Sequence, residues 1–380
     1  MLIKSLFWQI INSIVKICLE IFVFDRKIRR ILKGNWAKFY LRKYVVKGCK
    51  DFNKTLSLPF LSPQETSLSL NGCCGREQSF NKSLCLSQGE GMTEVVQLGD
   101  SRSVIARSSS EDGRRSNPQN DMDCHEEQSS SRNDGTPKAD IPNSQIIWQY
   151  WESKDGSIPP LVQACLNSVD KFKGNRKRII VTYDKLKDYI DLPQKIYELK
   201  ENGKMNLAHF VDIVRTVLLI QYGGIWIDST ILLTEELPDF VESDLFFFQN
   251  DEKVDLDGLC GTNYFIAAKT DSKILKQTLA SMLAYWNENR FLVNYFTHMH
   301  IITMVARCNK DEWAKIPFFS FYPVQRLQTE LLNPFDEKRW TQLKKTTPIH
   351  KLTHKRKVLS KKKEIKIEGT FFEHILEEFK

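Results

Sequence analysis

Residues 2–24 read LIKSLFWQIINSIVKICLEIFVF, with polar positions at Ser5, Gln9, Asn12, Ser13, Lys16 and Glu20. Spacings of three and four gather these positions into one stripe of a helix and leave the rest of its surface to Leu, Ile, Val, Phe and Trp. The stretch has the roughly 20 residues needed to cross a bilayer, but Lys16 and Glu20 would then sit in hydrocarbon. It is also interrupted by charge and lacks the small-residue cleavage site of a signal peptide. A helix lying in a membrane interface is therefore expected; the alternative is a helix packed on the protein's own core.

From Ile141 the pattern alternates between the two periods. Gln145–Trp151 (QIIWQYW) reads as a strand, and Pro159-Pro160 starts a helix through Phe172, since proline suits the first helical turn. Arg178–Tyr183, Ile225–Asp228, Asp244–Gln249 and Tyr264–Ala268 read as further strands. Asn206–Tyr222, ended by Gly223-Gly224, and Ser272–Asn287 read as amphipathic helices. This alternation predicts an α/β layer with a mainly parallel sheet, and ligands of such sheets bind at the strands' carboxyl ends. Residues 61–140 hold no such period and are rich in Ser, Asn, Asp and Gly; they are expected to be a disordered insertion or linker.

Charge sharpens this division. Residues 1–50 carry twelve Lys/Arg against two Asp/Glu, and Lys344–Lys363 carry nine Lys/Arg and no carboxylate. Residues 61–140 are acidic, with thirteen Asp/Glu against eight Lys/Arg. Positive ends suit an anionic surface, either lipid or nucleic acid. The basic blocks lack the signatures of the common nucleic-acid modules, so no nucleic acid is expected. At 41% hydrophobic residues the 380-residue chain is not wholly disordered, and it is not a polytopic membrane protein. Nine scattered cysteines without a C-x-x-C indicate neither a disulfide framework nor a zinc ribbon. The sequons at Asn53 and Asn81 are short enough to occur by chance.

The chemistry concentrates in residues 208–230, AHFVDIVRTVLLIQYGGIWIDST. Asp212 and Arg215 lie three apart and share a helix face among valines and leucines. Charges in such a place are paired or functional. The glycine pair turns the chain from helix to strand. Alternation then puts Trp226 and Asp228 on one face, with Asp228 at the strand's carboxyl end before Ser229 and Thr230. A carboxylate there is placed to meet a sugar, a ribose or a phosphate-bound cation. An intrahelical ion pair and a turn cap are the plainer alternatives. His298 and His300 form an H-x-H, but in helical surroundings their rings would diverge, which favours packing over metal binding.

The segment D-x-x-R-x-x-x-L-x-x-Y-G-G-x-W-x-D-x-[ST] resembles the capsular polysaccharide synthesis proteins, within the DxD-motif sugar transferases that include the initiating mannosyltransferases and the glucosylating toxins. IIWQYWE (146–152), NYFIA (263–267) and PIHKLTHK (348–355) extend the resemblance over 141–357. It implies a GT-A-like nucleotide-diphosphosugar transferase fold and glycosyl transfer with retention. By its pattern Asp228 is the first DxD acid, on the donor's sugar or ribose. Asp212 and Arg215 are the helix pair that binds the donor's sugar, with Ser229 beside them. Trp148 and Gln149 lie where the first strand meets the nucleotide, and Asn263 lies at the donor or acceptor pocket. A divalent cation, Mn²⁺ or Mg²⁺, would sit on Asp228 and Thr230. Thr230 replaces the second acid, however, and a hydroxyl is a far weaker ligand than a carboxylate. His350, Lys351, His354 and Lys355 are then candidates to meet the diphosphate, because the leaving group's charge needs a cation. Asp257 and Asp271 are available, but neither stands out as a nucleophile.

These readings divide the chain into a membrane-associating helical segment (1–60), a polar linker (61–140), a catalytic domain (141–357) and a charged tail (358–380). They predict a peripheral enzyme on the cytoplasmic face of a membrane. It would move sugar from a nucleotide-diphosphosugar donor to a cell-surface polysaccharide or a lipid-linked glycan. A single-pass anchor in a secretory-pathway membrane is the other location. An inactive sugar-nucleotide-binding relative and a basic nucleic-acid-binding protein are the alternative functions.

Overall fold

The apolar runs assemble into one five-stranded sheet in the computed structural model, which describes residues 2–22, 26–55, 145–153, 155–250, 258–355 and 366–380. The chain divides into two units. The linker expected at 61–140 and the candidate acid Asp257 lie outside the described residues. The sheet and the described helices belong to the unit formed by Met1–Glu65 and Ala139–Lys380.

In chain order its strands are β1 (Ile146–Tyr150), β2 (Lys177–Val181), β3 (Gly224–Ile227), β4 (Ile231–Leu233), β5 (Leu245–Gln249), β6 (Gly261–Ala268) and β7 (Ile349–Lys351). Its helices begin with α1 (Leu2–Phe22), α2 (Arg26–Thr55), α3 (Pro160–Phe172), α4 (Gln194–Glu201), α5 (Leu207–Tyr222) and α6 (Lys273–Glu288). They continue with α7 (Thr297–Cys308), α8 (Lys310–Ala314), α9 (Tyr322–Glu330), α10 (Glu337–Thr346) and α11 (Phe371–Glu378).

The main sheet has the order β2-β1-β3-β6-β5. β1 runs parallel to both β2 and β3, while β6 is antiparallel to β3 and to β5. The expected mainly parallel sheet is thus mixed. Parallel neighbours need a crossover of a dozen or more residues, usually a helix. α3 and then α4 with α5 supply crossovers for the first half, whereas only short segments separate β3, β5 and β6. The layout is a Rossmann-like α/β sheet, consistent with the GT-A-like fold expected from the sequence.

The local signals hold where they were strongest. Pro160 opens α3, and Asn206 caps α5 by accepting from the His209 backbone N–H at 3.1 Å. Gly223 and Gly224 turn the chain into β3 with φ of 65° and 100°. A Cβ on Gly224 would meet the Ile146 carbonyl oxygen at 2.6 Å, so only glycine lets β3 pair so closely with β1.

The sheet's two faces carry separate cores. Trp148, Trp226 and Ile266 pack with α5, α6 and α7, and Ile225, Ile227 and Phe265 pack with Val241, Phe246 and Val324. α2 belongs to the first core: Tyr40, Leu41, Tyr44 and Val45 are buried against it. Burying each such side chain is worth about 1.5–3 kcal/mol, so α2 is an integral part of the domain. The end of the chain, read only as a charged tail, also adds structure. Phe371, Ile375 and Phe379, four apart, bury one face of α11 with Leu161 and Cys165 of α3. β4 and β7 form a separate two-stranded ribbon in the register Ile231↔Lys351, Leu232↔His350 and Leu233↔Ile349.

Among the described residues no helix is long and apolar enough to cross a membrane, which leaves the single-pass anchor without support.

Candidate active site

Asp228 follows β3 directly, at its carboxyl end. Its backbone N–H donates to the Tyr264 carbonyl at 2.9 Å, and its own carbonyl accepts from the Ile231 N–H at 2.9 Å, closing the turn through Ser229 and Thr230. The expected alternation is present: the Trp226 indole N–H donates to Asp228 Oδ1 at 2.9 Å. Arg215 rises from α5 on the same side. Its Nη2 lies 3.4 Å from Asp228 Oδ1 and 3.5 Å from Asp212 Oδ1, and its guanidinium stacks 4.8 Å over the Trp226 ring. The guanidinium also donates to the Asn263 carbonyl. The structure therefore brings together Asp212, Arg215, Asp228 and Asn263, residues drawn from α5, β3 and β6.

Two histidines complete the group. His209 Nδ1 lies 3.2 Å from Asp212 Oδ2. His298 Nδ1 lies 3.2 Å from both Asp212 Oδ1 and the Asn263 side-chain nitrogen, and that nitrogen donates to Asp212 Oδ1 at 2.9 Å. Sequence reading missed His209. It noted His298 only as half of the H-x-H, whose residues do diverge on helix α7: His300 is buried, and neither ring nitrogen has a partner among the described residues. The available signal for His209 was its i,i+3 spacing to Asp212 on a helix.

The environments of the two acids differ. The Asp212 and Arg215 side chains retain 8% and 7% of their exposure, Asp228 23% and Lys351 22%. Burial alone would raise the Asp212 carboxyl, but His298, Arg215 and the His209 hydrogen bond outweigh it and hold the group well below the usual carboxylate range. Asp228 is lowered in the same way: burial opposes ionisation, and Lys351 and then Arg215 reverse it. Asp212 is thus an internal anchor for Arg215, and Asp228 is the acid that reaches solvent.

The remaining candidates fall into two groups. Lys351, opposite Ile231 in the ribbon, bridges the acid turn: its Nζ donates to Asp228 Oδ2 at 2.9 Å and to Thr230 Oγ1 at 2.6 Å. Strand alternation sends His350 the other way. It is fully buried 6.3 Å from the Trp340 ring, and burial pushes its pKa down to about 3. Trp148 is fully buried, and its indole N–H donates to the Gly223 carbonyl at 2.9 Å. Gln149 is buried beside Arg178, which donates to its side-chain oxygen at 3.4 Å. The Ser229 hydroxyl donates to the Tyr150 carbonyl at 2.7 Å, tying the acid turn to β1. His354 stands 5.8 Å from the Trp151 ring, so the stretch after β7 meets the carboxyl end of β1.

The DxD resemblance implies a divalent cation on Asp228 and Thr230, and the residues present do not fit one. Mg²⁺ is commonly held by one or two carboxylates together with substrate phosphates, so a single acid is not the obstacle. The obstacle is the Lys351 ammonium, which bridges the two oxygens the ion would use. An ion sharing them would lie within about 4 Å of it, where even two unit charges repel by about 4 kcal/mol at a protein surface. Among the described residues no group of three or more His, Cys, Asp or Glu is placed to hold a metal.

The sheet thus presents an acid at the carboxyl end of a central strand, braced by an arginine and flanked by a lysine, where α/β sheets bind their ligands. The family comparison agrees. Residues 107–375, more than half of the chain, match the model of the capsular polysaccharide synthesis proteins, and the chain belongs to that family. Membership is consistent with a glycosyltransferase-type role in the biosynthesis of capsular polysaccharide. No curated protein matches the chain.

Proposed function

We propose that the protein is a glycosyltransferase that moves a sugar from a nucleotide-diphosphosugar to a growing cell-surface polysaccharide or its lipid-linked precursor. The observation that carries this reading is Asp228, ionised and solvent-reaching beside Lys351, on a turn fixed by hydrogen bonds to β6. In the reaction, the bond from the anomeric carbon to the diphosphate breaks and its electron pair leaves on the phosphate oxygen. The acceptor hydroxyl forms the new bond from the same face, and its proton passes to the departing phosphate. Asp228 grips the donor's sugar or ribose hydroxyls. Arg215 and Asp212 hold Asp228 in place: the guanidinium bridges the two carboxylates and donates to the Asn263 carbonyl. The described residues supply no second exposed carboxylate at this cluster, which favours same-face substitution over a covalent intermediate.

A membrane-held acceptor is supported by α1. The helix turns Ser5 and Asn12 inward, where Asn12 accepts from the Trp36 indole at 2.8 Å and Lys16 donates to the Leu292 carbonyl at 3.1 Å. It leaves Leu6, Phe7, Ile10, Ile14 and Ile17 about half exposed on the outer face. Leu32, Phe39 and Val46, seven apart on α2, are also exposed, and a groove of about 450 Å³ between Trp8, Phe39 and Val46 is edged by Arg42 and Lys43. An apolar face with a basic margin is the build of an interfacial helix.

The reading is tested by incubating the full chain with a panel of radiolabelled nucleotide sugars and membrane extracts. Transfer of label to a glycan by the wild type, lost in Asp228→Asn, supports it. Binding of a nucleotide sugar without transfer or hydrolysis would instead identify an inactive relative.

A further inference from the structure

We infer that Lys351 is a built-in cation for the donor's diphosphate, standing on the two side chains where the sequence resemblance implies a metal ion, so that this protein binds its nucleotide without a divalent cation. The inference rests on the transferase reading above and adds the means by which the leaving group is recognised.

Three observations lead there. Lys351 Nζ touches Asp228 Oδ2 and Thr230 Oγ1, the two positions equivalent to an acid pair. This placement is built by the backbone and does not depend on one long side chain alone: Ile231 pairs with Lys351 across the ribbon, and the Leu352 N–H donates to the Thr230 carbonyl at 2.9 Å. The strand carrying the lysine is therefore locked to the turn carrying the acid.

The second observation is the charge balance. Asp212 and Asp228 face Arg215 and Lys351, two negative charges against two positive ones. Before the nucleotide binds, the group is balanced, and Lys351 already supplies the positive charge that the diphosphate will meet. Threonine at position 230 fits the same arrangement. A hydroxyl there accepts one N–H from the lysine and adds no charge.

The third is the division of labour between the cations. Arg215 is buried and engaged by Asp212, Asp228 and Asn263. Lys351 is the more exposed of the two. An ammonium has three N–H donors, and two are used on Asp228 and Thr230. The third is available for a phosphate oxygen, while Asp228 and Thr230 hold the ammonium in place. The Tyr264 ring, 5.6 Å below the ammonium, completes its seat. The charge that builds on the departing diphosphate is then met by a group already in position, which is how preorganised electrostatic stabilisation works.

The test measures binding of UDP, GDP, ADP and CDP to the full-length protein by calorimetry, in EDTA and in Mn²⁺. The expected result is that at least one nucleotide binds with the same affinity in both buffers. Lys351→Gln should weaken that binding roughly ten- to a hundredfold, the worth of one hydrogen bond to a charged group, and Lys351→Arg should retain most of it. The double variant Thr230→Asp, Lys351→Ala should bind in Mn²⁺ and fail in EDTA. Binding by the wild type only in Mn²⁺ overturns the inference and leaves the transferase reading standing. So does unchanged binding by a Lys351→Gln variant, which would make the lysine a structural bridge. Absence of binding by every nucleotide in both buffers overturns the transferase reading and the inference with it. The wild-type comparison needs no variant, so it can overturn the inference even if Lys351→Gln does not fold.

Discussion

Asp228 and Asp212 are the same residue type within one cluster, yet their substitutions should separate cleanly. Asp228→Asn removes the acid that reaches solvent. Transfer is expected to fall at least about a hundredfold, with a smaller loss of stability than at Asp212 because Asp228 is the more exposed of the two. Asp212→Ala leaves Arg215 buried with one fewer partner, and removal of one member of a buried ion pair costs about 3–5 kcal/mol. Chemical denaturation should show that loss even where activity is not assayed. The pH dependence of stability has its origin in the same burial. Asp212 has a folded pKa below its ordinary 3.8, so its contribution is complete above that value and is lost as the pH falls below it. Burial lowers His300 and His350 from 6.5 to about 3, so each contributes stability above pH 6.5 that is lost as the pH falls toward 3. Stability should therefore decline below pH 6.5, before the carboxylates protonate. Thermal melts of His350→Leu across that window should show a shallower decline than the wild type.

Among the elements, α2 is the least expected part of the core and the easiest to test. Gly48 lies where α2 crosses α6: a Cβ there would come within 2.3 Å of Ser281 Oγ and 2.6 Å of its backbone nitrogen. A backbone atom cannot step aside, so Gly48→Ala must push the two helices apart. A loss of about 1–3 kcal/mol is expected, read as a lower denaturant midpoint. The same helices are joined by polar bonds: Tyr40 donates to the Asn289 side-chain oxygen at 2.7 Å, and the Asn289 amide donates to the Tyr44 hydroxyl at 2.8 Å. Removing α2 would strip one wall of the core that supports α6 and α7. The membrane reading is therefore better tested by point changes on α1 than by deletion of the N-terminus.

For the molecule as a whole, the apolar residues that α1 leaves exposed, with Ser5 and Asn12 turned inward, predict binding to anionic vesicles. The full chain should co-sediment with phosphatidylserine-containing liposomes more than with neutral ones, and added salt should reduce the difference. Leu6→Asp together with Ile10→Asp and Ile14→Asp should abolish co-sedimentation with only a small shift of the melting curve, because all three residues are about half exposed. Retention of vesicle binding by that variant would remove the support α1 lends to a membrane-held acceptor.

Periodicity and turn chemistry were enough to read out the α/β layering, the capped α5, the glycine turn into β3 and the acid at its end, because each depends on neighbours a few residues apart. The polarity of α1 was legible in part: Ser5 and Asn12 turn inward, whereas Gln9 and Ser13 of the same stripe are exposed. Several other features came from contacts between distant segments. The H-x-H spacing could not show that His298 meets Asp212, because that contact joins α7 to α5. The PIHKLTHK motif named His350 and Lys351 together, but the pairing of β7 with β4 decided which one reaches Asp228 and which one is buried. The side of α1 that faces the protein depended on the surface α2 and Leu292 offered it, where buried polar groups found hydrogen-bond partners. Local chemistry thus set which groups were available. Packing over long sequence separations set which of them share a site, because burial and charge pairing are satisfied only when those segments meet.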